Sequence, residues 1–173
     1  MKKFAIILGS FLLAGSLVAC GEASVEKAEP ADAEESTGSD EEEAKTETFK
    51  VGDTVKFDDL EITLTNVREA KDELMNPEND KFLSVELDIK NKADKSANIS
   101  SLMQMNLMDA DGYKMDIALV DGKGQLDGEI GPGRSMKGEV SYDVGDSDYY
   151  EFIFEDPFTN GQAIWKIDNE DVK

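Results

Sequence analysis

From Leu60 onward apolar and polar residues take turns with a period of two, and that alternation limits the chain to one kind of fold. Leu60, Ile62 and Leu64 alternate with Glu61, Thr63 and Thr65, and Leu83, Val85, Leu87 and Ile89 alternate with Ser84, Glu86, Asp88 and Lys90. Successive strand side chains point to opposite faces, so each run reads as a strand with one buried face. Met103, Met105 and Leu107 follow the same rule, as do Val140, Tyr142 and Val144; Tyr150, Phe152 and Phe154; and Ala163, Trp165 and Ile167. Turn-forming residues separate the runs: Asp58-Asp59, Asn76-Pro77, Asp109-Ala110-Asp111-Gly112, Gly131-Pro132-Gly133, Asp156-Pro157 and Asn160-Gly161. No stretch keeps a helical period for three turns. The pattern predicts an all-β chain over residues 49–173, folded as an antiparallel β-sandwich with two apolar faces pressed together. A domain of that size can stabilise itself with a core and needs no disulfide.

Residues 20–48 are a different polymer. Between Gly21 and Thr48 there are eleven acidic residues and two lysines, with Val25 the only large aliphatic side chain and no aromatic. Such a segment buries too little apolar surface to offset chain entropy, so the sequence predicts a disordered acidic linker. As a flexible coil it would hold a domain roughly 30 Å from its other end. A role for Asp40 to Glu43 in binding cations or a basic partner is the alternative to a solvated charge run.

Ahead of the linker, Lys2 and Lys3 precede an apolar run from Phe4 to Val18, interrupted only by Gly9, Ser10, Gly15 and Ser16. A positive start, a short hydrophobic stretch and small residues before a cleavage point describe a signal peptide over residues 1–19. The run falls short of the ~20 apolar residues that span a bilayer. Leu17-Val18-Ala19-Cys20 resembles the lipobox of bacterial lipoproteins. That resemblance implies a diacylglyceryl group on the Cys20 thiol, cleavage before Cys20 and an acylated new amino terminus. The mature chain would then sit on the outer face of the cell membrane, held by its lipid. Two acyl chains make attachment durable, at about 0.8 kcal/mol per buried methylene. The alternative is an ordinary secretory signal that leaves Cys20 as a free thiol.

Charge and residue usage exclude several function classes. The 173 residues carry 39 Asp and Glu against 18 Lys and Arg, a formal net charge of −21, with no histidine and Cys20 as the only cysteine. A lipidated Cys20 leaves no disulfide and no thiol nucleophile. Without histidine, Ser-His-Asp and Cys-His hydrolase arrangements are impossible, and the commonest zinc-binding nitrogen is missing. Nucleic acid is excluded as a partner, because its phosphates require a basic surface. The acidity also repels anionic lipid, so membrane residence must come from the anchor. No nucleophile-and-base set is present, and no enzyme or cofactor is expected.

Asp109, Asp111 and Gly112 look faintly like a calcium loop, but Tyr113 and Lys114 follow and a strand resumes, so a hairpin turn accounts for them better. Asp143, Asp146 and Asp148 around Gly145, with Asp156 as a possible addition, form a second acidic cluster. Three carboxylates on one loop could hold calcium, against the simpler reading of solvated loop charge. Met103, Met105, Met108, Met115 and Met136 lie close together in sequence. Their sulfurs could take copper(I), but Met103 and Met105 share a face with Leu107 and are expected in the core. Met108 falls on the opposite face and is a candidate partner-binding edge. Trp165 is expected in the core, and Tyr149-Tyr150 pose the same choice between core and interface.

The order of these segments resembles a family. Val51-Gly52-Asp53-Thr54-Val55 leads into Leu60-Glu61-Ile62-Thr63-Leu64, then Phe82 to Asn91, Gly131-Pro132-Gly133, Lys137-Gly138-Glu139-Val140 and an aromatic strand at Tyr150 to Phe154. Together they are similar to the telokin-like, immunoglobulin-like domain of unknown function found in many lipoproteins of Gram-positive bacteria. A secreted mycobacterial immunoprotective antigen shares that type of fold. The resemblance implies an immunoglobulin-like β-sandwich outside the cell and no catalytic residues to carry over. The chain departs from it in its acidity and in a longer Val120 to Ile130 connection, with room for an extra hairpin or a mobile loop. The function expected is a lipid-anchored, non-catalytic binding module for an envelope protein or cell-wall partner. Its candidate surfaces are the Glu69–Lys81 and Val120–Gly133 loops. A calcium or small-ligand binder is the alternative.

Overall fold

The computed structural model describes residues 25–27, 48–120, 122–158 and 161–173. The expected signal peptide, Cys20 and most of the acidic linker lie outside the described residues. The strands are β1 (Val25–Lys27), β2 (Thr48–Lys50), β3 (Thr54–Phe57), β4 (Leu60–Ala70), β5 (Lys81–Asn91), β6 (Ala97–Ile99), β7 (Met105–Asp109), β8 (Asp116–Ala118), β9 (Gly128–Ile130), β10 (Ser135–Val144), β11 (Tyr149–Glu155) and β12 (Gln162–Asp168). One sheet has the order β1-β3-β4-β5-β10-β8, a second the order β2-β12-β11-β7, and β6 and β9 form a small third pair. All pairings are antiparallel except β2 with β12. This is the expected immunoglobulin-like antiparallel β-sandwich.

The alternating residues meet between the two main sheets. Ile62, Leu64, Val67, Leu83, Val85, Leu87 and Ile89 from one face Leu107, Phe152, Phe154, Trp165 and Ile167 from the other, all with at most 1% of their surface exposed. Each such side chain contributes about 1.5–3 kcal/mol by leaving water. Trp165 lies 5.9 Å from Phe49 and 6.0 Å from Phe152, ring centre to ring centre, and its indole N–H donates to the Asp53 carbonyl at 3.2 Å. Tyr150 is buried too, and its hydroxyl donates to the Gly145 carbonyl at 2.5 Å, fastening the turn that leads into its own strand.

Three expectations change. The Met103–Leu107 run starts its strand only at Met105, because Ser101–Gln104 form a single helical turn, α1. The Ser100 carbonyl accepts the Met103 and Gln104 amides, and the Gln104 side chain returns to the Ser100 amide at 2.8 Å. Met103 is therefore 54% exposed rather than in the core. Second, among the described residues the Val120–Ile130 connection makes no hairpin of its own, since β9 pairs with the distant β6. Third, Val25–Lys27, inside the segment expected to be disordered, is a sheet edge paired with β3. Val25, the lone large aliphatic there, packs on the core, and the Lys27 ammonium meets Asp53 at 2.8 Å.

One irregularity decides what the outer face of the large sheet carries. The register of β4 against β5 slips between Leu64 and Asn66, a β-bulge at Thr65. Beyond it Val67 pairs with Val85 on the core side, and Arg68 pairs with Ser84 on the outer side. Without the extra residue the two would trade faces.

Candidate functional site

On that outer face, Arg68 of β4 reaches across β5 to Glu139 of β10, Nη2 to Oε1 at 2.5 Å. The Glu139 side chain is only 2% exposed and the Arg68 side chain 25%. Between them Ser84 and Ser141 share a buried hydroxyl–hydroxyl hydrogen bond of 2.5 Å. The Lys123 backbone amide also donates to Glu139 Oε1, at 2.8 Å, while its ammonium stands 3.9 Å from Glu86. Glu139 Oε2 and Arg68 Nε are buried without a partner among the described residues.

The pair fixes a loop. Strand β8 covers only Ser141–Asp143 of β10, and residues 122–125 run beside Lys137–Glu139 on the same edge. Gly122 lies so close to Glu139 that any Cβ there would run into the carboxylate. A Cβ on Gly138 would stand 3.0 Å from the backbone of Gln125, so glycine lets the two chains lie flat together. Past that point Leu126 drops into the core at 1% exposure, and Asp127 accepts the Ser101 amide and hydroxyl at 2.9 and 2.8 Å. The loop thus starts on the outer face, rounds the edge of β10 and ends in the core.

A second loop is pinned to the same face. Asp143 accepts the Glu78 amide at 2.6 Å and the Asn79 amide at 3.0 Å, which holds the segment between β4 and β5 over Phe82. Between the two loops lie adjoining hollows of about 350 and 560 Å³ that share Ile117, Ala118 and Leu119 as a common wall. Leu119 is 86% exposed there. Both loops singled out from the sequence therefore meet around β8.

The proposed calcium set does not converge. Asp143 spends both oxygens on amides, Asp146 stands 3.6 Å from the Lys81 ammonium, and Asp148 offers its carbonyl to Asn169. Asp156 sits at the other end of the sandwich, where its carboxylate accepts the Phe158 amide. No group of three potential metal ligands is found among the described residues. Asp109 accepts the Asp111 and Tyr113 amides, which is the hairpin turn expected of that segment. The methionines share no common environment: Met105 is buried, Met115 and Met136 pack against the core, and Met103 is exposed. Met108, expected at a partner-binding edge, is half-buried beside Lys114 and Glu151. Sequence reading missed Arg68, Ser84, Glu139 and Ser141. The signal for Arg68 was present as the break in alternation at Thr65-Asn66.

A family model for a domain of unknown function, DUF4352, matches residues 49–164. The chain belongs to that family. Among solved structures, the Bacillus subtilis yjhA protein superposes with a TM-score of 0.56 at 15% identity, covering 70% of this chain and 100% of that one. The candidate lipoprotein ycdA of Bacillus subtilis gives 0.54 at 19% identity, over 75% of this chain and 40% of that one. Mycobacterium tuberculosis MPT63, a secreted protein, gives 0.49 at 16% identity, over 72% and 99%. At this level of identity the likeness to yjhA and ycdA shows a shared fold and nothing further. No curated protein matches the chain. The DUF4352 match ends inside β12 and takes in all of the loop-framed face.

Proposed function

We propose that this DUF4352 protein is a non-catalytic binding module, lipid-anchored through Cys20 on the outer face of the cell membrane. Its recognition surface is the β8 side of the large sheet. Two carboxylates, Asp143 and Glu139, fasten two separate loops by their backbone amides beside one exposed apolar wall, and this supports that surface. Loops held in this way lose little freedom when a partner docks, and reduced ordering cost favours affinity. The surroundings favour an envelope protein that offers an apolar residue to Leu119 with cationic groups beside it, facing Glu78, Asp116 and Asp143.

A photo-crosslinking residue at Leu119 in intact cells tests the surface. It should capture a defined protein neighbour that a probe at exposed Glu170 does not. Equal capture at both positions would remove the surface assignment. Cys20→Ala tests the anchor separately, and is expected to release the protein into the medium or leave it unprocessed. Lipid label that persists on this variant would refute the anchor.

A further inference from the structure

A strand at the edge of a sheet carries unpaired backbone groups, and this chain closes most of its own edges. On β2, the Lys50 amide donates to the Asp53 carboxylate at 3.0 Å and the Lys50 carbonyl accepts the Asp53 amide at 2.9 Å. On β7, the Leu107 carbonyl accepts the Met115 amide at 2.8 Å, and the Asp109 amide donates to the Tyr113 carbonyl at 3.0 Å. Where β4 runs on past β3, the Lys173 amide donates to the Val67 carbonyl at 3.1 Å and its carbonyl accepts the Glu69 amide at 3.0 Å. On β1, exposed Glu26 and Lys27 set charge along the edge.

Strand β8 ends the large sheet without such a cover. The Asn91 amide donates to the Arg134 carbonyl, so every second residue of β10 from there to Tyr142 turns its backbone groups toward β5. Ser141 and Asp143 then turn theirs toward β8, where Ala118 and Asp116 meet them. Ile117, between these two, points its N–H and carbonyl outward. Neither group has a partner among the described residues. Ile117 is half-buried and lines both hollows beside this edge.

Charge selects the occupant. The hollows are lined by Glu78, Asp116, Asp127, Glu139 and Asp143, and by no lysine or arginine. Arg68 and Lys123 beside them are engaged by Glu139 and Glu86. The two framing segments, residues 71–81 and 119–127, hold six acids against three lysines. A second copy of this chain would bring the same acids to the seam, and like charges across a strand pair repel. The alternation of β8 sets the pattern of an added strand. Asp116 and Ala118 lie on the outer face beside Asp143 and Ser141, while Ile117 lies opposite buried Tyr142. A residue added opposite Ile117 meets an apolar side chain, and its neighbours on either side face the carboxylates.

Resting on the β8 recognition surface, we propose that its partner is an extended protein segment of alternating apolar and basic residues that adds to β8 as a further strand. It runs antiparallel, as every other pairing in that sheet does. Backbone bonds to Ile117 fix its register, and lysine or arginine beside Asp116 and Asp143 gives the selectivity.

The test follows amide exchange by NMR in the purified chain with a synthetic peptide of alternating valine and lysine. The Ile117 amide should exchange several-fold more slowly in its presence, and the Glu170 amide should not change. The same peptide N-methylated at every valine keeps its charge but loses the donors that face β8, and should give no protection. A valine–glutamate peptide should give none either. Protection by the methylated or the acidic peptide, or by none of the three, overturns the proposal. Slow exchange at Ile117 in the chain alone, with a doubled mass in sedimentation, assigns the edge to a second copy and also overturns it. Failure of the recognition surface itself reads differently: crosslinking at Leu119 then captures no more than at Glu170, whatever the peptides do.

Discussion

Replacing Arg68 by methionine tests the central electrostatic feature of the outer face. The variant keeps the aliphatic stem but removes the guanidinium from Glu139, whose side chain is 2% exposed and keeps only the Lys123 amide on Oε1. Removing one partner of a buried pair costs ~3–5 kcal/mol, because the other charge is left behind. Arg68 is a quarter exposed, so water replaces part of what is lost, and we expect about 2–3 kcal/mol. For a domain of this size that corresponds to a fall of ~10 °C in Tm. Urea unfolding of the purified chain should show a lower midpoint with an unchanged slope. The Lys123 amide should exchange faster with solvent. Replacing the pair together, Arg68→Met with Glu139→Leu, should recover most of the loss, which a double-mutant cycle measures. The surface pair Lys137–Asp88, 2.7 Å apart with the lysine 72% exposed, is the control, and Lys137→Met should leave the urea midpoint nearly unchanged. An Arg68→Met loss no larger than this control would refute the reasoning, since Glu139 would then have no need of its partner.

Three further outcomes are expected. The Lys27 side chain, and after it the Lys50 amide, hold the Asp53 carboxyl below its ordinary value of 3.8 against the opposing effect of burial. A depressed folded value means stability that is present above about pH 4 and is lost as the pH falls through the folded value; carbon NMR titration should show Asp53 rising in Lys27→Met, and an unchanged value would mean that β1 is not docked. Burial pushes the Tyr142 phenol well above its usual range, and its hydroxyl has no partner among the described residues. Tyr142→Phe should therefore be neutral or stabilising by up to ~1 kcal/mol in urea unfolding, and a clear loss would reveal a hidden acceptor. Thermal melts in millimolar calcium and in chelator should coincide, because Asp143 is committed to amides and Asp146 faces Lys81; a rise of several degrees with calcium would show otherwise.

The order of residues alone sets the period of the strands and with it the sandwich, because burial of one face forces every second residue to be apolar. Leu83 to Ile89, Tyr150 to Phe154 and Trp165 took their places for that reason alone. It also determined the turns at Asp109–Gly112 and Gly131–Gly133, where local backbone bonding suffices. What lies on the outer face depends instead on how distant strands pair. Arg68 and Glu139 are 71 residues apart, and their meeting depends on the bulge at Thr65 and on β10 lying beside β5. Val25 was likewise legible as a lone aliphatic in acidic surroundings, yet its strand exists only because β3 offers an edge. Period is a property of neighbours in the chain, whereas apposition is a property of strands brought together from far apart.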